Sequence, residues 1–186
     1  MTDDHKQVFL GTLLGNGFIC KGTKNSYFSI KHSNRHMPWL QTKVNELQIY
    51  SAKKGLTCNE GGCSWRTSAD PIFTEMREKY YKDGKKNITM EWLDSMRDIG
   101  IAVWYGDSGC LIGRNKRNAC LKTQSFGLEG NQIIAQFFNE VGFECNLNKS
   151  KKSYVIVFSV TGTEKLFKMI SIFLPKDRKS TRLNSS

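Results

Sequence analysis

Two short apolar segments, residues 8–15 (VFLGTLLG) and 99–106 (IGIAVWYG), each open a stretch of chain that repeats the other. Gly17 is followed sixteen residues later by Ser33, and Gly109 sixteen residues later by Ser125, an offset of 92. Asn45-Glu46-Leu47 is echoed by Asn139-Glu140-Val141 at an offset of 94, which a two-residue insertion explains. Repetition on this scale predicts two like-folded halves, residues 1–95 and 96–176. The two apolar segments are too continuous and too rich in small residues for surface amphipathic helices, so they predict helices buried on every side.

Each half then reads in one order. A hairpin follows the apolar helix, at 18–21 with 27–32 and at 110–113 with 119–125, and Asn25-Ser26, Asn115 and Asn118 supply its turn chemistry. An amphipathic helix comes next, at 38–49 with Pro38 in its first turn and at 128–141 with Ile133, Ile134, Phe137, Phe138 and Val141 on one stripe. A second strand pair is clearest at 154–160 (YVIVFSV) and weaker at 64–68, and closing helices are predicted at 71–81 and 163–173. The pattern per half is αββαββα. It predicts an α+β fold of two pseudo-symmetric halves, each an antiparallel sheet saddle with helices on one face, leaving the other face for solvent or a partner.

The sign of that partner follows from charge. The 186 residues carry 28 Lys+Arg against 17 Asp+Glu, a formal charge of +11. The last ten residues (DRKSTRLNSS) have no apolar periodicity and read as a non-native tail, which predicts a natural chain cut off near Lys176. Leaving the tail out lowers the charge only to +9, so the basic excess belongs to the domain and favours a polyanion. Strand alternation points Lys24, Arg114, Lys116, Lys122 and Gln124 to the open face. In the first half two parities remain open: Phe28 and Ile30 inward would turn Ser29 and Lys31 outward, whereas the repeat offset would turn Ile30 and His32 outward. Arg66, Lys149, Lys151 and Lys152 are further candidates for phosphate contact.

The six cysteines form no C-x-x-C pair, so neither a zinc site nor a disulfide framework is implied, and buried thiols are expected. The chain shows no signal peptide and no apolar run of transmembrane length, which predicts a reducing, intracellular compartment without membrane contact. His5, His32 and His36 lack ligand-like spacing and are expected at the surface or in turns; the four tryptophans are expected in the core.

The segments LGTLLGNGF (residues 10–18) and IAVWYGDSGCL (residues 101–111) resemble the paired signature helices of the LAGLIDADG homing endonucleases. So do LKTQSFGLEGNQIIAQFFNEVGFECNLNK (residues 121–149) with the following YVIVFSV, and the stretch from Tyr80 to Lys86, which is similar to the family's linker into the second motif. The resemblance covers nearly all of residues 8–174. It implies that the two helices pack through Gly11, Gly15, Ala102 and Gly106, with their C-terminal ends over the scissile phosphates of double-stranded DNA. It implies a metal-dependent endonuclease, with one acidic residue per half holding Mg²⁺. The acidic positions fall on Asn16 and Ser108, neither a carboxylate, with Asp107 one residue away as the one acid at either motif end. Lys86 matches a lysine expected to polarise water or stabilise developing phosphate charge; its second-half counterpart falls at or beyond position 177. The resemblance thus implies a site-specific double-strand endonuclease, acting as a monomer and encoded by a mobile element of a phage or organelle host. The alternative is a catalytically inert DNA- or RNA-binding protein on the same scaffold, an intron maturase or a regulator.

Overall fold

A computed structural model describes residues 1–150 and 153–175. Helix α1 (Asp3–Leu14) opens on Thr2, whose side chain caps it, and runs into β1 (Gly17–Cys20) and β2 (Tyr27–His32). Then come α2 (Met37–Glu46), β3 (Ser51–Asn59), β4 (Gly62–Thr67) and α3 (Pro71–Tyr80), with Asp70 capping α3. A two-residue-per-strand hairpin, β5 (Tyr81–Lys82) and β6 (Lys85–Lys86), and the short α4 (Met90–Asp94) lead into the second half. There α5 (Asp98–Ser108), β7 (Gly109–Ile112), β8 (Asn118–Leu121), α6 (Gly127–Glu140), β9 (Cys145–Ser150), β10 (Ser153–Phe158) and α7 (Val160–Ile170) repeat the plan. The sheets have the same order, β1-β2-β4-β3 and β7-β8-β10-β9, with every pair antiparallel. No helix among the described residues is long and apolar enough to cross a membrane.

One apolar core runs through both halves, because α1 from Gln7 to Leu14 and α5 from Gly100 to Asp107 are buried and are flanked by a sheet and helices on either side. Gly11 makes the approach possible. A Cβ there would clash with the Gly100 carbonyl, and Val103 stands 3.0 Å away; a Cβ on Gly15 would meet Asp107. The contact face of α5 is therefore Gly100, Val103 and Asp107. Gly106 does not serve the helix pair as expected. A Cβ there would strike Trp39 at 2.7 Å and Leu174 at 3.2 Å, so its missing side chain admits α2 and the segment that follows α7, and Ala102, one turn earlier, shares that side of the helix. The far end of the pair is fixed by Gln7, which donates to the Ser95 carbonyl and accepts from the Arg97 N–H, and by Arg97 with Asp3 and Asp4.

The strand registers decide the open parity. Gly17 pairs with Ile30, and Gly109 with Leu121, so the second strands stand 91 apart although the first stand 92 apart. The β7–β8 turn, residues 113–117, is one residue shorter than the β1–β2 turn, residues 21–26. A one-residue slip exchanges the two faces of a strand, so the offset of 92 misreads β2: Phe28, Ile30 and His32 point to the core, and Lys31 is the counterpart of Lys122. Three smaller corrections concern the second half and the cysteines. Gln124 lies in a 3₁₀ turn (Gln124–Phe126) rather than on a strand, and Val141 is half exposed at the end of α6 instead of closing its apolar stripe. Cys58 and Cys63, directly opposed in β3 and β4, are disulfide-bonded, against the expectation of six thiols. Lys151, Lys152 and the tail lie outside the described residues, as does the counterpart of Lys86.

We expect Gly11→Ala to cost about 1–3 kcal/mol or more through overpacking against backbone that cannot yield. Urea unfolding at constant slope checks this, and an unchanged midpoint would mean that α1 and α5 do not touch there.

Candidate nucleic-acid interface and the centre between its halves

The open face of the first sheet is set by the side chains that alternate with Ile19, Phe28 and Ile30. Phe18 opposes Ser29, Ser29 opposes Arg66, and Lys31 opposes Ser64. Two of its cations are ordered by aromatic rings, the Lys31 ammonium 5.9 Å from the Phe18 ring centre and the Arg66 guanidinium 5.8 Å from that of Tyr27. In the second sheet Lys122 and Gln124 line a trough of about 320 Å³ together with Cys110, Ile112, Lys149 and Val155. Lys31, Arg66, Lys122, Gln124 and Lys149 are all exposed and sit on these sheets or their margins. The structure does not put Lys24, Arg114 and Lys116 on strands. All three lie in exposed hairpin turns, where counting in twos from the helix ends has no meaning; Lys116 has a φ of 47° and Lys24 lines a cavity of about 370 Å³ with Arg77 and Gly84.

Between the sheets, the C-terminal ends of α1 and α5 meet at Gly15 and Asp107. Here the sequence reading needs its largest correction, because Asp107 is neither a solvated helix-end acid nor available to a metal. Its side chain is 0% exposed. One carboxylate oxygen accepts from Trp39 Nε1 at 2.6 Å and Lys43 Nζ at 2.7 Å, with His32 Nε2 at 3.5 Å; the other accepts from the Asn16 backbone N–H at 3.2 Å. Burial pushes the carboxyl up, but Lys43, His32 and the two side-chain hydrogen bonds together hold it below the usual carboxylate range. His32, expected at the surface, is buried, with Nε2 3.1 Å from Lys43 Nζ and Nδ1 3.4 Å from the Asn16 amide.

Asn16 itself is exposed at the tip of α1, and Ser108 half-buried at the tip of α5, where its carbonyl accepts from the Lys122 N–H. The β5–β6 hairpin carries Lys86 to the same place: its Nζ lies 3.5 Å from the Gly15 carbonyl, and burial lowers its pKa to about 8 against the opposing pull of Asp107. The structure thus brings Asn16, Asp107 and Lys86 together. What the sequence reading missed is the holding set of Lys43, His32 and Trp39. Lys43 had a signal: it falls in the middle of the apolar stripe Trp39, Leu40, Val44 and Leu47 of α2, where a lysine needs an acid.

Hard divalent cations need several free oxygens, carboxylates above all. Asn16 and Ser108 bring no charge, Asp107 is buried and paired with Lys43, and among the described residues no group of three or more His, Cys, Asp or Glu could hold a metal. The residues present do not fit such an ion.

Replacing Lys43 by Met should cost about 3–5 kcal/mol, because it strands a buried carboxylate. Since folding depresses the Asp107 pKa from its ordinary 3.8, its contribution is complete above that value and fades as pH falls towards the lower folded pKa. Urea titrations of Asp107→Asn should therefore lose part of the acid-limb pH dependence; an unaltered limb would show the pair to be uncharged.

The sequence profile described as the LAGLIDADG DNA endonuclease family matches residues 6–166. Protein RecA of Mycolicibacterium flavescens is 25% identical over 195 residues, which cover 94% of this chain and 45% of that protein, so the chain spans about half the length of that curated relative. The fold is similar to that of the homing endonuclease I-WcaI bound to its DNA recognition sequence, with a TM-score of 0.85 at 18% identity over 100% of this chain and 88% of the other. It is also similar to I-DmoI in complex with DNA and Ca, with a TM-score of 0.56 at 13% identity, covering 96% of each chain.

Proposed function

The chain belongs to the LAGLIDADG DNA endonuclease family, and we propose that it performs the recognition half of that activity, binding a long duplex DNA site across its two sheets. The observation that carries this is the pair of sheets with the same strand order, each carrying exposed cations: Lys31 and Arg66 on the face of one away from the helices, and Lys122 on that face of the other, with Lys149 exposed on its edge strand. Side chains on an antiparallel ribbon can reach base edges in the major groove, while neighbouring lysines and arginines take the phosphates. Both halves reside in one chain, so a monomer covers both half-sites. Intron RNA is a further polyanion this surface would attract. A mobile-element origin and an intracellular location, phage and organelle hosts included, belong to the same proposal.

Two readings of the cleavage half remain. In the first, the chain cuts both strands, as a site-specific endonuclease does, with Lys86 stabilising charge on the attacked phosphate. In the second it holds its site without cutting. The burial of Asp107 and its bonds from Trp39, Lys43 and Asn16 favour the second reading, since among the described residues the helix tips offer no other carboxylate to carry Mg²⁺ or another divalent ion.

Affinity for a mixed-sequence duplex should fall steeply and log-linearly with salt. Lys31→Ala, Arg66→Ala and Lys122→Ala should each flatten the slope by about 0.9. Absence of duplex binding would overturn the proposal. A target selected from random duplexes should stay uncut in Mg²⁺ or Mn²⁺, and specific products would instead establish the endonuclease.

A further inference from the structure

We infer that the centre between the two helix ends is a metal-independent phosphate contact, in which Asn16 and Lys86 bind a backbone phosphate of the duplex directly. This rests on the DNA recognition proposed above and says how its middle is held.

The argument is one of charge. Two helix C-termini converge here, and each presents roughly half a negative charge through its unsatisfied carbonyls. That end faces the polyanion if the sheets embrace it. Carboxylates at the tips would add to the repulsion, and a bridging cation would then be needed before a phosphate could approach. This chain removes the need in three ways. Its one acid at the tips, Asp107, is turned inward and matched by the Lys43 ammonium at 2.7 Å, so its charge is balanced inside the protein. The Lys86 ammonium stands by the Gly15 carbonyl, 3.5 Å away, where it offsets the end of α1. The tip residues themselves, Asn16 and Ser108, are neutral.

Asn16 is also held rather than loose. Its backbone N–H is fixed by Asp107 and its amide lies against His32 Nδ1, while the residue remains exposed. An amide has two N–H donors and a carbonyl, so contact with His32 leaves hydrogen-bonding capacity for a ligand; an ammonium likewise has two donors beyond the one aimed at Gly15. Neutral and cationic donors side by side, at the place where two sheets would centre a duplex, suit a phosphate oxygen with no ion between. The buried cluster therefore takes over a task that a divalent cation performs when the tips are acidic: it keeps the convergent helix ends from repelling DNA.

The test measures the affinity of the full chain for a fluorescein-labelled duplex of mixed sequence at low salt, in EDTA and in millimolar Ca²⁺. The native protein should bind at least as tightly in EDTA as in Ca²⁺, which only competes for the phosphates. Asn16→Asp should bind about tenfold more weakly in EDTA, from like-charge repulsion near the protein surface, and recover in Ca²⁺. Lys86→Met should bind more weakly in both and lower the salt slope by about 0.9. Asn16→Ala, which adds no charge, should weaken binding without acquiring any response to Ca²⁺, and it keeps the test available should the aspartate variant fail to fold. Loss of native binding on chelation overturns the inference, as does unchanged affinity of a folded Asn16→Asp in EDTA. If the native protein binds no duplex under either condition, the function proposed above falls instead.

Discussion

Gly11 and Gly100 bring the backbones of α1 and α5 into contact, and the remaining distances between the halves follow from that approach. Two helices that meet without intervening side chains have little freedom to rotate or slide, because any residue larger than glycine would have to move a carbonyl. Each helix runs directly into the first strand of its own sheet, α1 into β1 and α5 into β7. Fixing the helix pair therefore fixes the two sheets, and the spacing of their cationic faces is set by a contact that touches neither. The Gln7 hydrogen bonds at one end and the Asp107 cluster at the other hold the pair in register along its length.

The Asp107 cluster is costly as well as useful. Removing two charges from water carries a penalty of several kcal/mol per ion, which only close pairing and further hydrogen bonds offset. Asp107 has both: an ammonium at 2.7 Å, an indole N–H at 2.6 Å and a backbone N–H from the other half. Because Lys43, His32 and Trp39 come from the first half and Asp107 from the second, the pair is also a registry device, satisfied only when α5 lies where the first half expects it.

How far the sequence discloses this differs by level. The two buried helices are legible, because Gly-rich, continuously apolar segments repeated at one spacing have few other uses. The succession of helices and strands along each half and the core faces of α2 and α6 follow from periodicity, whereas the sheet order β1-β2-β4-β3 does not. The parity of β2 was not legible from the repeat, since a single deletion in a hairpin turn shifts the offset from 92 to 91 and no local pattern marks where it falls; the burial preference of Phe28 and Ile30 was the better guide. At the centre, Asp107 could be identified as the acid of the tip but not as a spent one. Its partners lie 64 and 75 residues away in α2 and β2, and each carries a separate anomaly: a lysine in an apolar stripe and a histidine continuing an inward row. Three polar residues on buried faces are one network, and sequence lists them apart.

The second half answers its own buried position differently, and the contrast explains why the molecule is only half symmetric. Two residues beyond the pairing with the helix end, β2 places His32 and the chain after β8 places Thr123. Both are buried, and both reach the following helix, His32 to Lys43 and Thr123 to Asn131, whose amide also donates to the Thr123 and Gly127 carbonyls. One network is charged and the other neutral. A charged network in the first half requires an acid from the second, which Asp107 supplies; a neutral network in the second half requires none from the first, and the position corresponding to Asp107 is Gly15. The tips consequently differ. Asn16 is held by the partner half and has Lys86 beside it, whereas Ser108 is tied through its carbonyl to its own strand. A pseudo-twofold scaffold whose two centres are built this differently would present the two strands of the proposed duplex with unequal contacts, at the very place where symmetric chemistry would need equal ones.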